Sequence, residues 1–192
     1  MQVNWSETLF ANRVDFNAFN NSAAEGSLLA GPNTQPALPA FFLRDADRKS
    51  ILLKASGILS VTGTPTIIFQ ARLGPTAGSA SLTGTSMGVS AAITTINNVS
   101  NARWELDLLL TLYTPGFGTG NSTLSGAGRV LSPAGFASPF IYDLEPTTPP
   151  TATWTATADA SLANYFNLSA TWSAGSASNT ITCKSLLLLG LN

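Results

Sequence analysis

The sequence predicts an all-β fold, a jelly-roll β-sandwich of about eight strands with an extended N-terminal arm. Three observations carry that reading. Apolar residues recur with period two, Gly/Pro/Ser-rich turns interrupt the chain at short intervals, and no stretch holds a sustained helical stripe. The clearest strand is "ARWELDLLLTLYT". Trp104, Leu106, Leu108, Leu110 and Leu112 share one face there, and Arg103, Glu105, Asp107, Leu109, Thr111 and Tyr113 share the other. A helix would place Glu105 and Asp107 roughly 200° apart and leave no apolar stripe.

Taken in order, residues 1–26 are polar, Asn-rich and aperiodic, and read as the arm. Trp5, Leu9, Phe10, Val14, Phe16 and Phe19 give it apolar anchors that a disordered tail lacks. Residues 27–192 read as the sandwich. "SILLKASGILSVT" turns Ile51, Leu53, Ala55, Leu59 and Val61 inward, and "TIIFQARLG" does the same with Ile67, Phe69, Ala71 and Leu73. The "GTP" between them reads as a hairpin turn. "MGVSAAITTI" is a weaker strand, followed by "STLSGAGRVLS" and "GFASPFIYDL". "TATWTATA" puts Trp154, and "YFNLSATWS" puts Phe166, Leu168, Ala170 and Trp172, on core faces. A short helical turn is expected over 160–164.

The last strand begins near Asn179. Strict alternation sets Ile181, Cys183, Ser185, Leu187 and Leu189 on one side, and Thr180, Thr182, Lys184, Leu186 and Leu188 on the other. Both sides are apolar, so one fills the core and the other needs either the N-terminal arm or a neighbouring subunit to cover it; the subunit is the favoured cover. Leu186 and Leu188 are assigned to a subunit interface, together with the arm residues Trp5, Phe10, Phe16 and Phe19 as subunit or capsid contacts. Trp5 is the foremost of these, because Trp is enriched at interface hot spots.

Composition narrows the function. Charged residues make up 10% of the chain, against about a quarter in an ordinary soluble domain. A surface so poor in charge is suited to burial against partners. The net charge is −1, and the basic residues are scattered; the densest run, 44–49, is interrupted by Asp45 and Asp47. That is no nucleic-acid footprint. There is no histidine, the commonest general base and metal ligand. No apolar run has the roughly 18 residues of a membrane span, and the first ten residues carry no basic leader or apolar segment, so neither a membrane role nor a signal peptide is expected.

The residues able to carry chemistry each have a plainer use. Cys183, the single cysteine, falls mid-strand on a core face and reads as structural. Glu105 and Asp107 stand on one strand face, roughly 6–7 Å apart, a spacing a glycosidase can use. They lie among Arg103 and Thr111, as solvated strand charges do. "DADRKS" opens like a calcium loop but lacks the Gly and distal Glu of an EF-hand. "GFGTGNSTLSGAG" is Gly-rich with no following Lys-Ser/Thr, and reads as a loop between strands. No catalytic residue, cofactor or metal site is expected.

Two stretches, "PALPAFFLRDADRKSILLKASGILSVTGTPTIIFQARLG" and "ANYFNLSATWSAGSASNTITCKSLLLLGLN", with "NARWELDLLLTLYTPGFGTGNSTLSGAGRVLS" between them, resemble small virion proteins encoded beside the major capsid protein of tailed bacteriophages. The resemblance spans most of residues 27–192 and rests on strand-and-turn phrases. It departs at 44–49, which is longer and more charged than the family's compact turn. It implies a jelly-roll capsid decoration or cement protein. Such a protein binds the assembled shell from outside, bridges capsomers and forms a homotrimer, here around Leu186 and Leu188. The partners implied are further copies of the chain and the major capsid protein, and the location is the capsid exterior after synthesis in the host cytoplasm. The alternative is the receptor- or glycan-binding head of a tail fibre or spike, which would expose aromatics beside Asp and Asn in one loop cluster.

Overall fold

Strand alternation builds the fold outward from one long strand. The computed structural model describes residues 6–20, 22–31, 35–43, 49–78, 82–118, 122–145 and 159–191, with 153–156 described as backbone. Its longest strand, β9 (Val99–Thr114), buries Trp104, Leu106, Leu108, Leu110 and Leu112 and turns the alternate residues outward. β5 (Ser50–Val61) and β10 (Ser122–Leu131) flank it, both antiparallel. The far edge of β5 takes β14 (Thr180–Leu191), and the far edge of β14 takes β1 (Ser6–Ala11). Beyond β10 lie β11 (Ile141–Glu145) and β12 (Thr153–Ala156), paired to different stretches of it. These strands form the front layer.

The back layer runs β7 (Thr85–Ser90), β6 (Thr66–Gly74), β13 (Asn164–Trp172), all antiparallel. Two-residue strands finish its edges: β8 (Ile93–Thr94) on β6, and β3 (Gly26–Ser27) and β4 (Ala37–Leu38) on β13. β2 (Phe19–Asn20) pairs with β14 in front. A short contact between β11 and β7 joins the layers into one hydrogen-bonded path. The result is all-β, a sandwich of jelly-roll class. Four of the fourteen strands are two residues long, and the chain before β5 supplies three of those, which is why the count exceeds the expected one.

The layers meet at an aromatic centre. The Phe69 ring on β6 lies 5.4 Å from Trp104 on β9 and 6.2 Å from Phe136. Trp104 and Trp172 are buried as expected, and both indole N–H groups lack a hydrogen-bond partner among the described residues. Each orphaned donor costs about 1–3 kcal/mol. Burying an indole of about 200 Å² returns about 5 kcal/mol, so packing wins. The Trp154 side chain lies outside the described residues.

Three expectations are corrected. First, "GTP" does not close a hairpin. Both edges of β5 are taken, by β9 and β14, so the chain turns at Gly63 (φ 76°) and crosses over the core to the back layer. Second, 160–164 is no helical turn: the Ser161 N–H and hydroxyl both donate to Asp159 Oδ1 (2.8 and 2.6 Å), an Asx-type turn. Third, alternation fails in the last strand. A β-bulge between Cys183 and Ser185 leaves both Lys184 and Ser185 exposed and shifts the register by one. Ile181, Cys183, Leu186 and Leu188 therefore fill the core, and Leu187 and Leu189 turn outward half-buried.

Candidate interaction surface

The expected contact residues separate once placed. Leu186 and Leu188 are 1% and 0% exposed within a single chain, so they are core residues and not a subunit interface. Phe16 is likewise in the core, at 3%. Phe10 and Phe19 are half-buried against that core, and the Phe19 ring fills the place where a Cβ on Gly26 would stand. Trp5 lies outside the described residues. The arm's aromatics thus serve its own chain. β1 covers the β14 edge, and the chain then crosses the open side of the sandwich to β13, seating Leu28 and Leu29 in the core.

Polar groups pin this crossing. The Asn12 amide donates to the Lys184 and Val14 carbonyls (both 2.9 Å), and its Oδ1 accepts from the Leu186 N–H at 2.7 Å. It thereby satisfies the backbone groups that the bulge takes out of the ladder. Asp15 pairs with Lys184 nearby. At the far end, Arg72 grips Glu25 with two bonds (2.9 and 2.8 Å) and also donates to the Gly84 carbonyl. Burial pushes the Glu25 carboxyl up, but hydrogen bonds from Arg72 and Ser169 and the Arg72 charge outweigh it, leaving the group below the ordinary carboxylate range.

Two surfaces gather several side chains available to a partner. The outer face of the front layer is ordered in rows by the strand register. One row reads Leu187, Lys54, Asp107, Arg129, Asp143, and the next reads Leu189, Leu52, Leu109, Ala127. Lys54 and Arg129 approach Asp107 at 2.7 and 3.7 Å, and Arg103 pairs with Glu105 at 3.0 Å. The two carboxylates whose spacing suits an acid pair are therefore occupied by cations on an open face. Leu109 is 43% exposed and Ile141 54%. Shallow depressions of about 220, 370 and 290 Å³ open on this face.

The second place is one end of the sandwich. The Phe41 N–H donates to the Ala160 carbonyl (2.9 Å) and the Ala160 N–H to the Gly116 carbonyl (2.8 Å), which stitches three loops side by side. They carry Phe41, Phe117 and Leu162, each more than half exposed, with Tyr113 at the end of β9 close by. Phe41 has φ 64°, the left-handed region that a bulky side chain rarely enters. Hydrogen bonds from Ser161 hold the Asp159 carboxyl of this cluster below its ordinary range. Sequence reading singles out the 114–122 loop only under the receptor-binding alternative, and does not join Phe41 and Leu162 to it, because the side chains come from three separate loops. The charged run over 44–48, with its calcium-loop-like opening, and the loop tip at 119–121 fall outside the described residues.

No group of three or more acidic or cysteine side chains placed to hold a metal occurs among the described residues. Cys183 is fully buried, and burial pushes its thiol up to about 12. No helix is long and apolar enough to cross a membrane among the described residues. No family model and no curated protein matches the chain. Among solved structures, a peanut lectin bound to a nine-residue peptide is similar over 99% of this chain and 98% of its own, at 14% identity and a TM-score of 0.37.

Proposed function

We propose that the chain is a structural component of a virus particle, a decoration or cement protein that binds the assembled shell and stabilises it by bridging major capsid subunits. The carrying observation is the apolar end of the sandwich, where Phe41, Phe117 and Leu162 stand exposed on loops tied together through their backbones. Apolar side chains held out by a rigid support are suited to permanent contact, since little entropy remains to be lost on docking. The low charge content of the chain and its resemblance to phage virion proteins point the same way. In this reading the protein recognises a surface that exists only on the finished shell, so mass action favours the shell over loose subunits. It performs no catalysis and needs no cofactor.

The experiment is co-sedimentation of the recombinant chain with purified shells of the phage that encodes it. Saturable binding that Phe41→Ser and Phe117→Ser together abolish supports the proposal. A chain that never sediments with shells overturns it. The exposed Tyr113 and Phe117 also favour a second reading, a receptor- or glycan-binding head, because exposed aromatics are what sugars stack on. Density for the chain at the tail tip, and not on the shell, decides for that reading.

A further inference from the structure

We propose that the outer face of the front layer is a self-recognition surface, on which a second copy of this chain docks about a twofold axis parallel to the strands. This goes beyond the virion reading and does not depend on it. The chain has nine cationic and ten anionic residues in total, and Arg103, Glu105, Lys54, Asp107, Arg129 and Asp143 all stand on this one face. Their charges cancel, so the face neither selects nor repels a strongly charged partner.

Their order is the informative feature. Across four adjacent strands the register sets Lys54, Asp107, Arg129 and Asp143 in one row, with signs plus, minus, plus, minus. Such a row is its own complement when turned end for end. An axis between β9 and β10, running along the strands, does this: Lys54 comes opposite Asp143 of the second copy, and Asp107 opposite Arg129 of the second copy. The same rotation keeps each row facing itself, so Leu109 meets Ala127 of the second copy, while in the row on the other side Glu105 meets Leu131 and Ser56 meets Ile141 of the second copy. A twofold contact is isologous, and each such pair occurs twice.

The spacing allows it. Neighbouring strands lie about 4.8 Å apart, so Lys54 and Asp143 sit only ~7 Å from that axis and tolerate the ~30° angle of aligned sheet packing. Within one chain the row is incompletely paired. Asp107 takes both cations, and Asp143 has no ion-pair partner among the described residues. The face is about 19 Å by 27 Å, roughly 500 Å² per copy, which is below the ~800 Å² per partner of a standard interface and within the range of weak, transient contacts. That size suits a micromolar, exchanging dimer.

The test is a charge-swap pair followed by sedimentation velocity from micromolar to about 100 μM. Wild type should dimerise over that range. Asp143→Lys puts two lysines opposite each other, and Lys54→Asp puts two aspartates opposite each other, so each variant alone should weaken the dimer by more than about tenfold. An equimolar mixture of the two should regain it. In the mixed dimer the unaltered Lys54 of one variant faces the unaltered Asp143 of the other, and the two introduced side chains, opposite in sign, face each other. Far-UV circular dichroism and urea midpoints establish that both variants are folded. A monomeric wild type at the highest concentration overturns the proposal, as do variants that still dimerise alone, or a mixture that gains nothing. Shell binding lost in Asp143→Lys with wild type monomeric throughout would assign the face to another protein and equally overturn it.

Discussion

The β-bulge in β14 makes a prediction that separates this structure from plain alternation. Leu188 is completely buried and Leu187, its neighbour, is half-buried on the outer face. Leu188→Ala removes a fully packed side chain and leaves a cavity, which costs about 2–5 kcal/mol. Leu187→Ala gives up part of an already wet surface and costs at most about 1 kcal/mol. For a domain of this length each kcal/mol moves Tm by about 2–4 °C, so Leu188→Ala should lower it by about 4–20 °C and Leu187→Ala by less than about 4 °C. Urea unfolding of dilute protein, followed by the fluorescence of the buried Trp104 and Trp172, reads the two costs as midpoint shifts with unchanged slopes. Uninterrupted alternation from Ile181 predicts the reverse order, with Leu187 inside. A larger loss for Leu187→Ala than for Leu188→Ala would refute the bulge and every outer-face row that depends on it.

Other expectations follow from the arm and the core. Asn12→Ala removes the acceptor of the Leu186 N–H and the donor to the Lys184 carbonyl, and should cost about 1–3 kcal/mol in the same urea assay. The Glu25 carboxyl titrates below its ordinary 4.5 in the folded chain, so its contribution is whole above that pH and is lost as pH falls through the lower folded value. Stability measured from pH 6 downward should accordingly fall less steeply below pH 4.5 in Glu25→Gln than in wild type. Cys183, buried and with its thiol raised to about 12, should resist Ellman's reagent in the native protein and react fully once unfolded in urea.

The readable part of the fold is the part set by the pleat alone. From Ala102 to Leu112 of β9, and along β13, side-chain direction alternates without interruption, so Trp104 to Leu112, and Phe166, Leu168, Ala170 and Trp172, could be assigned inward from the sequence. Partner choice was less legible. The "GTP" turn has the same local chemistry whether it closes a hairpin or carries the chain over the core, and the occupied edges of β5 decide between them. The arm was legible as an apolar-anchored segment but not as β1, since its pairing with β14 runs through backbone groups that leave little side-chain pattern. The outer rows were invisible, because Lys54, Asp107, Arg129 and Asp143 become neighbours only through a register spanning four strands.

The bulge did leave a trace: Lys184 and Ser185 are adjacent polar residues between apolar Cys183 and Leu186, and strict period two would bury one of them. A strand cannot spare one residue on a single face. The slip that admits Leu186 and Leu188 to the core also sets Leu187 and Leu189 at the ends of the charged and apolar outer rows. The Asn12 side chain holds the slip in place, bonded to Lys184 and Leu186 on either side of it. The arm therefore does more than cover an edge. By fixing the register of β14 it determines which leucines are core and which are surface, and with them the composition of the face offered to a partner.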